Sequence, residues 1–194
     1  MGELAQLQGS REIDAIPFSG ILDVFRSENH KLAAMRTRVD IHDAFVSRFH
    51  FGKRGEPVAH NQLDAIEEAL GTKLPTAYCQ FMLRHGVVYT PSILGEVADG
   101  KLGHPDIQEF LQPDQAIENT KMYWSGGMPD DVIGVASDCM GNMIGFHRQS
   151  LPSDDSPVVF FDHDFVDVYE LSPSFDEFLA WYLDHLKGPQ LTND

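Results

Sequence analysis

The sequence predicts an α+β protein in which an antiparallel, twisted sheet is packed by the N- and C-terminal helices of one domain, after an N-terminal helical arm. Short runs rich in β-branched and aromatic residues, separated by turn residues, occupy the second half of the chain. Stretches whose apolar residues recur at every third or fourth position precede and follow these runs. We therefore expect an arm at residues 1–55, an α+β domain at residues 56–188 and a frayed tail at residues 189–194.

Two helices that meet at a corner are predicted to open the domain. Asn61 is a candidate N-cap for the first helix, and Gly71 is placed to end it in the left-handed conformation. The apolar face of this helix contains Leu63, Ile66 and Leu70. Pro75 suits the first position of the second helix, which ends at Arg84-His85-Gly86. The apolar stripe of the second helix contains Tyr78, Phe81 and Met82.

Residues 21–54 have the pattern of an amphipathic helical arm, with basic residues off its apolar face. The apolar face contains Leu32, Met35 and Val39, and the basic residues are Lys31, Arg36, Arg38, Arg48, Lys53 and Arg54. Three arrangements fit this pattern: the arm packs on its own domain, exchanges between the chains of a dimer, or contacts a membrane or a partner. Asp40 and Asp43 weaken the membrane alternative, and residues 52–57 are the predicted linker.

Residues 87–131 are rich in proline and glycine, so we expect long loops there and one helix, from about Pro113 to Trp124. Long ordered loops on a compact domain often carry binding specificity. Tyr89, Tyr123 and Trp124 are candidate aromatic anchors for an interface with a partner. A structural role fits these three residues equally well, because aromatic side chains also pin long loops to a core.

Four strands are predicted in the second half of the chain, at residues 132–136, 143–147, 158–161 and 167–171. Turns are predicted between them at Asp138–Asn142, Pro152–Pro157 and His163–Val166. A capping box from Ser174 to Glu177 opens the last helix. This helix presents five apolar residues to the sheet: Phe175, Phe178, Leu179, Tyr182 and Leu186.

Taken in order, several of these motifs resemble the SUKH superfamily, which unites a fungal regulator of cell-wall assembly with many bacterial immunity proteins. They are the helix end Leu70-Gly71 with Leu74-Pro75, the strand Val132–Ala136, the turn Asp138–Asn142, the strand Met143–Phe146, the strand Val158–Phe161 running into Asp162-His163-Asp164, and the helix start Ser174–Leu179. The resemblance covers residues 61–186 and implies the same α+β fold. In this family Asp138 and Asp162 resemble turn-fixing residues rather than catalysts.

Charge is distributed unevenly along the chain, whose net charge is −16. Residues 1–54 contain 8 Lys and Arg against 7 Asp and Glu, whereas residues 55–194 contain 6 against 23. The second part therefore carries −17, and its field repels nucleic acid and anionic membranes but attracts basic proteins. We exclude nucleic acid and membranes as partners on this basis. Acidity that serves solubility alone is the competing explanation.

The sequence contains neither a His-Glu-x-x-His nor a Gly-x-Ser-x-Gly motif and no phosphate-binding loop, so we predict no catalytic residue, no metal and no cofactor. The nearest approach to a catalytic cluster is Asp162-His163-Asp164 with Asp138 and Asp167, whose carboxylates suit a divalent cation. The alternative is a turn whose aspartates accept backbone N–H bonds. Cys79 and Cys139 match no Cys-x-x-Cys pattern and are predicted to be free thiols of a cytoplasmic protein.

The resemblance implies an immunity protein of a bacterial polymorphic toxin system, which binds a basic toxin, often a nuclease, and blocks it without catalysis. The acidic charge agrees, because a nuclease active site must be basic to hold phosphate. We expect a monomer or a weak dimer. Besides the three aromatic anchors, the candidate contact residues are Asp130, Asp131, Asp154, Asp155, Asp162, Asp164 and Asp167. Two alternatives stay open: a regulatory or scaffold module, as the fungal branch suggests, and a metal-dependent hydrolase built on Asp162 and Asp164.

Overall fold

The structure, a computed structural model, describes residues 38–188. Helix α1 covers residues 38–49 of the described part. The helices that follow are α2 (His60–Leu70), α3 (Thr76–His85), α4 (Ser92–Gly100), α5 (Pro113–Ser125) and α6 (Phe175–His185). The strands are β1 (Glu109–Phe110), β2 (Val132–Ser137), β3 (Met143–His147), β4 (Val158–Asp162) and β5 (Asp167–Ser172).

The described strands form one sheet in the order β1-β2-β3-β4-β5, and every neighbouring pair is antiparallel. The predicted α+β class is therefore confirmed. The four predicted strands are present, and none of their bounds differs from the prediction by more than one residue. The sequence does not predict strand β1, because Glu109–Phe110 is too short to form a run of β-branched and aromatic residues.

The two faces of the sheet are covered by different helices. Tyr123 of α5 packs edge-on against Phe161, with ring centroids 6.1 Å apart. Phe161 pairs with Met143, so these two side chains lie on the same face of the sheet. Side chains alternate between faces along a strand, and Phe146, three residues after Met143, therefore lies on the opposite face. There Phe146 packs against Phe175 of α6 at 6.1 Å. Strands β2, β3 and β4 are consequently buried on both faces, and exposed acidic side chains occur at the ends and the β5 edge of the sheet.

The corner between α2 and α3 has the predicted shape, with a correction at the start of each helix. Gly71 ends α2 with φ 61° and ψ 44°, in the left-handed region, as predicted. The predicted N-cap Asn61 is wrong: the N-cap is Ala59, whose N–H donates to the Gln62 side chain at 2.9 Å. Pro75 is the N-cap of α3, one position before the predicted one. The predicted apolar residues of both helices are all buried: Leu63, Ile66, Leu70, Tyr78, Phe81 and Met82.

Helix α1, the described part of the predicted arm, packs on the domain of its own chain. Phe45 and Phe49 are fully buried. The Phe45 ring lies 6.4 Å from that of Phe81 in α3 and 6.0 Å from that of Tyr182 in α6. The predicted boundary between residues 55 and 56 stays a prediction. Other predictions lie outside the described residues: those on positions 1–37, including Lys31, Leu32, Met35 and Arg36, and the tail at 189–194.

An ion-pair network joins α1 to the start of α6. Arg38 Nε donates to Asp176 Oδ2 at 2.5 Å, and its terminal nitrogens donate to Asp154 at 3.0 and 3.1 Å. His42 Nε2 lies 2.9 Å from Asp176 Oδ1. Burial alone would raise the pKa of Asp176, but the hydrogen bonds from His42 and Arg38 outweigh it and lower this pKa. The carboxylate therefore stays charged and ties α1 to α6.

The region between α3 and β2 contains more regular structure than the sequence predicts. Helix α5 begins at Pro113, as predicted, and ends one residue beyond Trp124. The long loops predicted here are wrong for residues 92–100, which form α4 and bury Ile93. Glycine is a poor helix former, and α4 contains Gly95 and Gly100, so its helical pattern was hidden in the sequence.

His85, the last residue of α3, is a buried titratable group. Its side chain is 6 % exposed and its ring lies 5.4 Å from that of Phe81. Although Nε2 lies 3.1 Å from Asp43 Oδ1, the two atoms do not have the geometry of a hydrogen bond. Burial therefore lowers the pKa of His85 from its ordinary value of 6.5 to about 4.

The protein should lose stability in acid because of His85. Between pH 6.5 and about pH 4 the unfolded chain binds the proton and the folded chain does not, so the free energy of unfolding falls as the pH falls. We expect His85 to contribute about 1–3 kcal/mol to this fall. Urea unfolding of the wild type and of His85→Gln at about pH 7 and about pH 4.5 checks this. A fall of the same size in both proteins would contradict the expectation.

Candidate partner-binding surface

The structure divides the seven candidate aspartates between opposite ends of the sheet. Asp130 and Asp131 immediately precede β2, beside the end of β3 at His147, whose Nδ1 lies 3.1 Å from Asp131 Oδ2. Asp162 of β4 and Asp167 of β5 lie opposite each other at the other end of the sheet. Measured along the strands, this pair lies about 15 Å from Asp130 and Asp131. The loop end, residues 130–131 and 148–157, carries Asp130, Asp131, Asp154 and Asp155; the turn end, residues 138–142 and 162–167, carries Asp162, Asp164 and Asp167.

Asp162 shapes the turn between β4 and β5. Its Oδ1 accepts hydrogen bonds from the backbone N–H groups of Asp164 and Phe165 at 3.0 and 3.1 Å. The turn-fixing role that the resemblance implied for Asp162 is therefore confirmed. The side chain of Asp164 is 70 % exposed, and Asp167 is exposed as well. These two carboxylates are accessible to a partner.

A buried hydrogen-bond network joins the two turns of the turn end. Asp138, 7 % exposed, accepts through Oδ1 from the backbone N–H groups of Met140 and Asn142 at 2.9 and 2.7 Å. Its Oδ2 accepts from Asn142 Nδ2 at 2.7 Å. Asn142 Oδ1 in turn accepts from the backbone N–H of His163, in the other turn, at 3.0 Å. The implied turn-fixing role of Asp138 is confirmed, and Asn142 links this turn to the turn that contains His163.

Large apolar side chains are exposed at the turn end and on the adjoining strand. Phe165 is 82 % exposed, Met140 66 %, Val166 55 % and Tyr169 45 %. Cys139, beside Met140 in the chain, is an exposed free cysteine. Scattered apolar residues on a surface need no explanation, but several at one end of a sheet indicate an interaction site. Because Asp164 and Asp167 flank two of them in the sequence, this surface is both apolar and acidic.

Val166 has a backbone conformation that is unfavourable for its residue type. Its φ is 53°, in the left-handed region that β-branched residues rarely adopt, at a cost on the order of 1 kcal/mol. The backbone of Gly127 lies close to the Val166 side chain, because a Cβ added to Gly127 would lie 3.2 Å from Val166 Cγ1. The most exposed large apolar residue of the described chain, Phe165, thus directly precedes a strained position.

At the loop end, three of the four candidate aspartates have partners within the fold: Asp131, which contacts His147, and Asp154 and Asp155. The carboxylate of Asp155 accepts from the backbone N–H groups of Phe175 and Asp176 at 2.8 and 3.3 Å, at the N-terminus of α6. Burial raises the pKa of Asp155. Asp154 pairs with Arg38 at 3.0 Å. These contacts stabilise the fold, and the contribution of the loop end to binding stays a prediction.

The aromatic anchors differ in how strongly they are held by the fold. The Tyr123 hydroxyl donates to the backbone oxygen of Gly141 at 2.5 Å. Trp124 Nε1 donates to the backbone oxygen of Val132 at 2.8 Å. Both side chains are partly buried and attach α5 to the sheet. Tyr89 is 38 % exposed and has more surface to offer a partner, but a binding role for any of the three stays a prediction.

Two open clefts lie away from the turn end, and internal ion pairs occupy charged groups in both. One of about 460 Å³ is lined by residues of α1, α3 and the segment between α1 and α2, where Arg84 binds Asp43 through two contacts of 2.6 Å. The other cleft, of about 570 Å³, is lined by α2, by residues 71–73 after it and by residues 149–150. There Glu67 binds Lys73 at 2.5 Å. We therefore place the candidate site at the turn end.

The metal-dependent alternative receives no support from residues 38–188. Within this range no group of three or more His, Cys, Asp and Glu side chains is arranged to hold a metal ion, so the predicted metal-site alternative at Asp162 and Asp164 lacks a donor set. No helix in the same range is long and apolar enough to cross a bilayer.

An α+β domain with an apolar, acidic surface at one end of its sheet is suited to binding another protein. The chain belongs to the SMI1 / KNR4 family (SUKH-1), whose family model matches residues 57–181. The resemblance to the SUKH superfamily is therefore confirmed, and the matched range contains all ten candidate contact residues. No curated protein matches the chain significantly in sequence.

Met140, Phe165 and Val166 are not among the site residues predicted from the sequence. In both turns that prediction rests on the charged residues alone. A signal was present, because Phe165 and Val166 are apolar residues inside a predicted turn, where polar residues and glycine are usual. Exposure itself could not be read from the sequence, since an apolar turn residue can equally fold back onto a core.

Proposed function

We propose that this protein is a non-enzymatic immunity protein of a bacterial polymorphic toxin system, which binds and blocks a basic toxin of the nuclease class. The observation that carries the proposal is the combination of family membership with a charge of −17 on residues 55–194. The protein acts in the cytoplasm, as a monomer or a weak dimer, and needs no cofactor.

Inhibition of this kind requires no bond to be made or broken. A nuclease positions Lys and Arg side chains to bind phosphate, and exposed carboxylates such as Asp164 and Asp167 suit the same cations. Once bound, the domain excludes the nucleic acid from the active site by its bulk. Close charge pairs across such interfaces have coupling energies of about 1.5–7 kcal/mol, whereas pairs at the rim contribute little, so a few aspartates should dominate.

A regulatory or scaffold module, which binds endogenous proteins and neutralises nothing, is the second candidate. The observation in its favour is the match to the SMI1 / KNR4 family (SUKH-1), since the SUKH superfamily also includes a fungal regulator of cell-wall assembly. The two candidates differ in their partner, because an immunity protein has one cognate toxin and a regulatory module has partners among the proteins of its own cell.

The test is capture of the partner from a native-host lysate by the full-length protein, at about 50 mM and about 300 mM salt. We expect one basic protein with nuclease activity, bound more strongly at low salt because screening weakens attraction between opposite charges. Once the captured nuclease has been separated from the complex, adding one equivalent of the purified immunity protein should abolish its activity. Recovery of several regulators without toxic activity would instead favour the scaffold module, and a captured nuclease that stays active when bound would refute the proposal.

A further inference from the structure

The turn end of the sheet has the features of a specific docking surface rather than a generally acidic one. We propose that Phe165, flanked by Val166 and accompanied by Met140, is an apolar knob that enters a pocket on a basic protein, while Asp164 and Asp167 pair with cationic side chains at the pocket rim. This inference rests on the proposed function only in identifying that basic protein as a toxin.

Exposure of the apolar side chains is the first argument. Phe165, at 82 %, is more exposed than any other large apolar residue of residues 38–188; Leu151 at the loop end is 76 % exposed, and Met140 of the neighbouring turn is 66 % exposed. A phenylalanine in this position gains little for the fold, because its ring remains in water. Aromatic side chains that become buried at the centre of an interface typically carry much of its binding energy. An exposed ring such as that of Phe165 is therefore suited to binding a partner.

Pre-organisation is the second argument. The backbone at Phe165 is held by the hydrogen bond from its N–H to Asp162 Oδ1 at 3.1 Å. The two turns are joined through Asn142, whose Oδ1 accepts from the backbone N–H of His163 at 3.0 Å. Less conformational entropy is lost on binding when the contacting residues are already held in one conformation.

Charge selects the occupant. No Lys or Arg occurs in residues 138–142 or 162–167, so the turn end has no basic side chain of these types to neutralise its aspartates. A second copy of this acidic chain would be repelled. Residues 1–37 contain 4 Lys and Arg against 5 Asp and Glu, so this segment does not supply the complementary charge either. A separate protein with a basic surface does, and its pocket must be apolar to accept the ring.

The knob and the aspartates should affect different steps of binding. Long-range attraction between Asp164 and Asp167 and a basic partner accelerates association and is weakened by salt. The short-range contacts of Phe165 form only in the docked complex, so their loss accelerates dissociation. This division gives the inference a kinetic signature that a merely acidic surface lacks.

The first experiment identifies the occupant by site-specific photo-crosslinking. Full-length protein carrying benzoylphenylalanine at position 165 is irradiated in its native host, with the same substitution at Phe51 as the control. Phe51 is 65 % exposed, and its N–H donates to the backbone oxygen of Tyr89, beside β1, at the edge of the sheet opposite β5. We expect a basic protein to be crosslinked from position 165 and not from position 51. A crosslink to residues 1–37 of the same chain, equal crosslinking at both positions, or none at position 165 would overturn the inference.

The second experiment measures binding of the crosslinked basic protein, purified separately, to unmodified variants. Phe165→Ala should raise the dissociation rate about thirtyfold or more, whereas the matched variant Phe51→Ala should change it less than about twofold. The double variant Asp164→Asn with Asp167→Asn should mainly lower the association rate and its dependence on salt. Thermal unfolding of each variant checks that the fold is retained.

The outcomes separate this inference from the proposed function. A neutralised toxin that binds Phe165→Ala as tightly as the wild type would overturn the knob and leave the immunity function standing. If the partner is an endogenous regulator and it dissociates faster from Phe165→Ala, the result would support the knob and refute the immunity function. If the partner is a toxin and it dissociates faster from Phe165→Ala, the result would support both.

Discussion

Replacing Gly145 with alanine should strongly destabilise the protein. Gly145 lies in β3 opposite Gly134 in β2, and a Cβ at Gly145 would lie 1.7 Å from the backbone oxygen of Ile133 and 2.7 Å from its carbonyl carbon. These are backbone atoms of a central strand and cannot turn aside as a flexible side chain can. Separating the strands breaks hydrogen bonds and buried contacts on both faces, so we expect a loss of about 4 kcal/mol or more.

Urea unfolding followed by tryptophan fluorescence measures this loss, and Gly95→Ala is the matched control. Gly95 lies in α4, where an added Cβ would meet no heavy atom within 4 Å. Alanine favours the helix over glycine, so Gly95→Ala should stabilise the protein by about 0.5–1 kcal/mol. If the free energy of unfolding of Gly145→Ala lay within about 1 kcal/mol of that of the wild type, the close packing of β2 and β3 described above would be wrong.

Replacing Asp138 with alanine should destabilise the protein by about 3 kcal/mol and loosen the turn end. The substitution removes the acceptor of three hydrogen bonds, one from Met140 and two from Asn142. Asn142 would then no longer be held in place to accept from His163. The effect should therefore extend from the turn that contains Asp138 to the turn that contains Phe165.

Hydrogen exchange distinguishes this coupled loosening from a uniform loss of stability. In Asp138→Ala the amide protons of residues 138–142 and 163–165 should exchange faster than the change in global stability accounts for. Asp138→Asn keeps one acceptor oxygen and should cost about 1 kcal/mol, with a smaller effect on residues 163–165. Unchanged exchange at residues 163–165 in the alanine variant would show that the two turns do not depend on each other.

The parts of the fold that the sequence predicts well are those with a local signature. The apolar faces of α2, α3 and α6 follow from residues that recur at every third or fourth position, and strands β2 to β5 follow from runs of β-branched and aromatic residues between turns. Helix starts are less certain, because Gln62 rather than Asn61 supplies the group that satisfies a free N–H at the start of α2. Helix α4 was missed because Gly95 and Gly100 argue against a helix that tertiary packing around Ile93 nevertheless stabilises.

The candidate site could be predicted only in part, because its composition is local but its geometry is not. The sequence identifies Asp162, Asp164 and Asp167 as a cluster, and pairing of β4 with β5 brings them to one end of the sheet. Asp154 and Asp155 look equivalent to them in the sequence, yet Asp154 pairs with Arg38, 116 residues earlier, and Asp155 caps α6. Contacts between residues so distant in the chain have no local signature.

Cys139 gives the turn end a natural attachment point for a spectroscopic label. The chain has two cysteines, and burial raises the pKa of both thiols, that of Cys79 to about 11; accessibility distinguishes them, because Cys79 is partly buried. The exposed Cys139 directly precedes Met140. A thiol-reactive fluorophore should therefore attach next to the apolar knob in the unsubstituted protein, and its emission would report directly on what covers that surface.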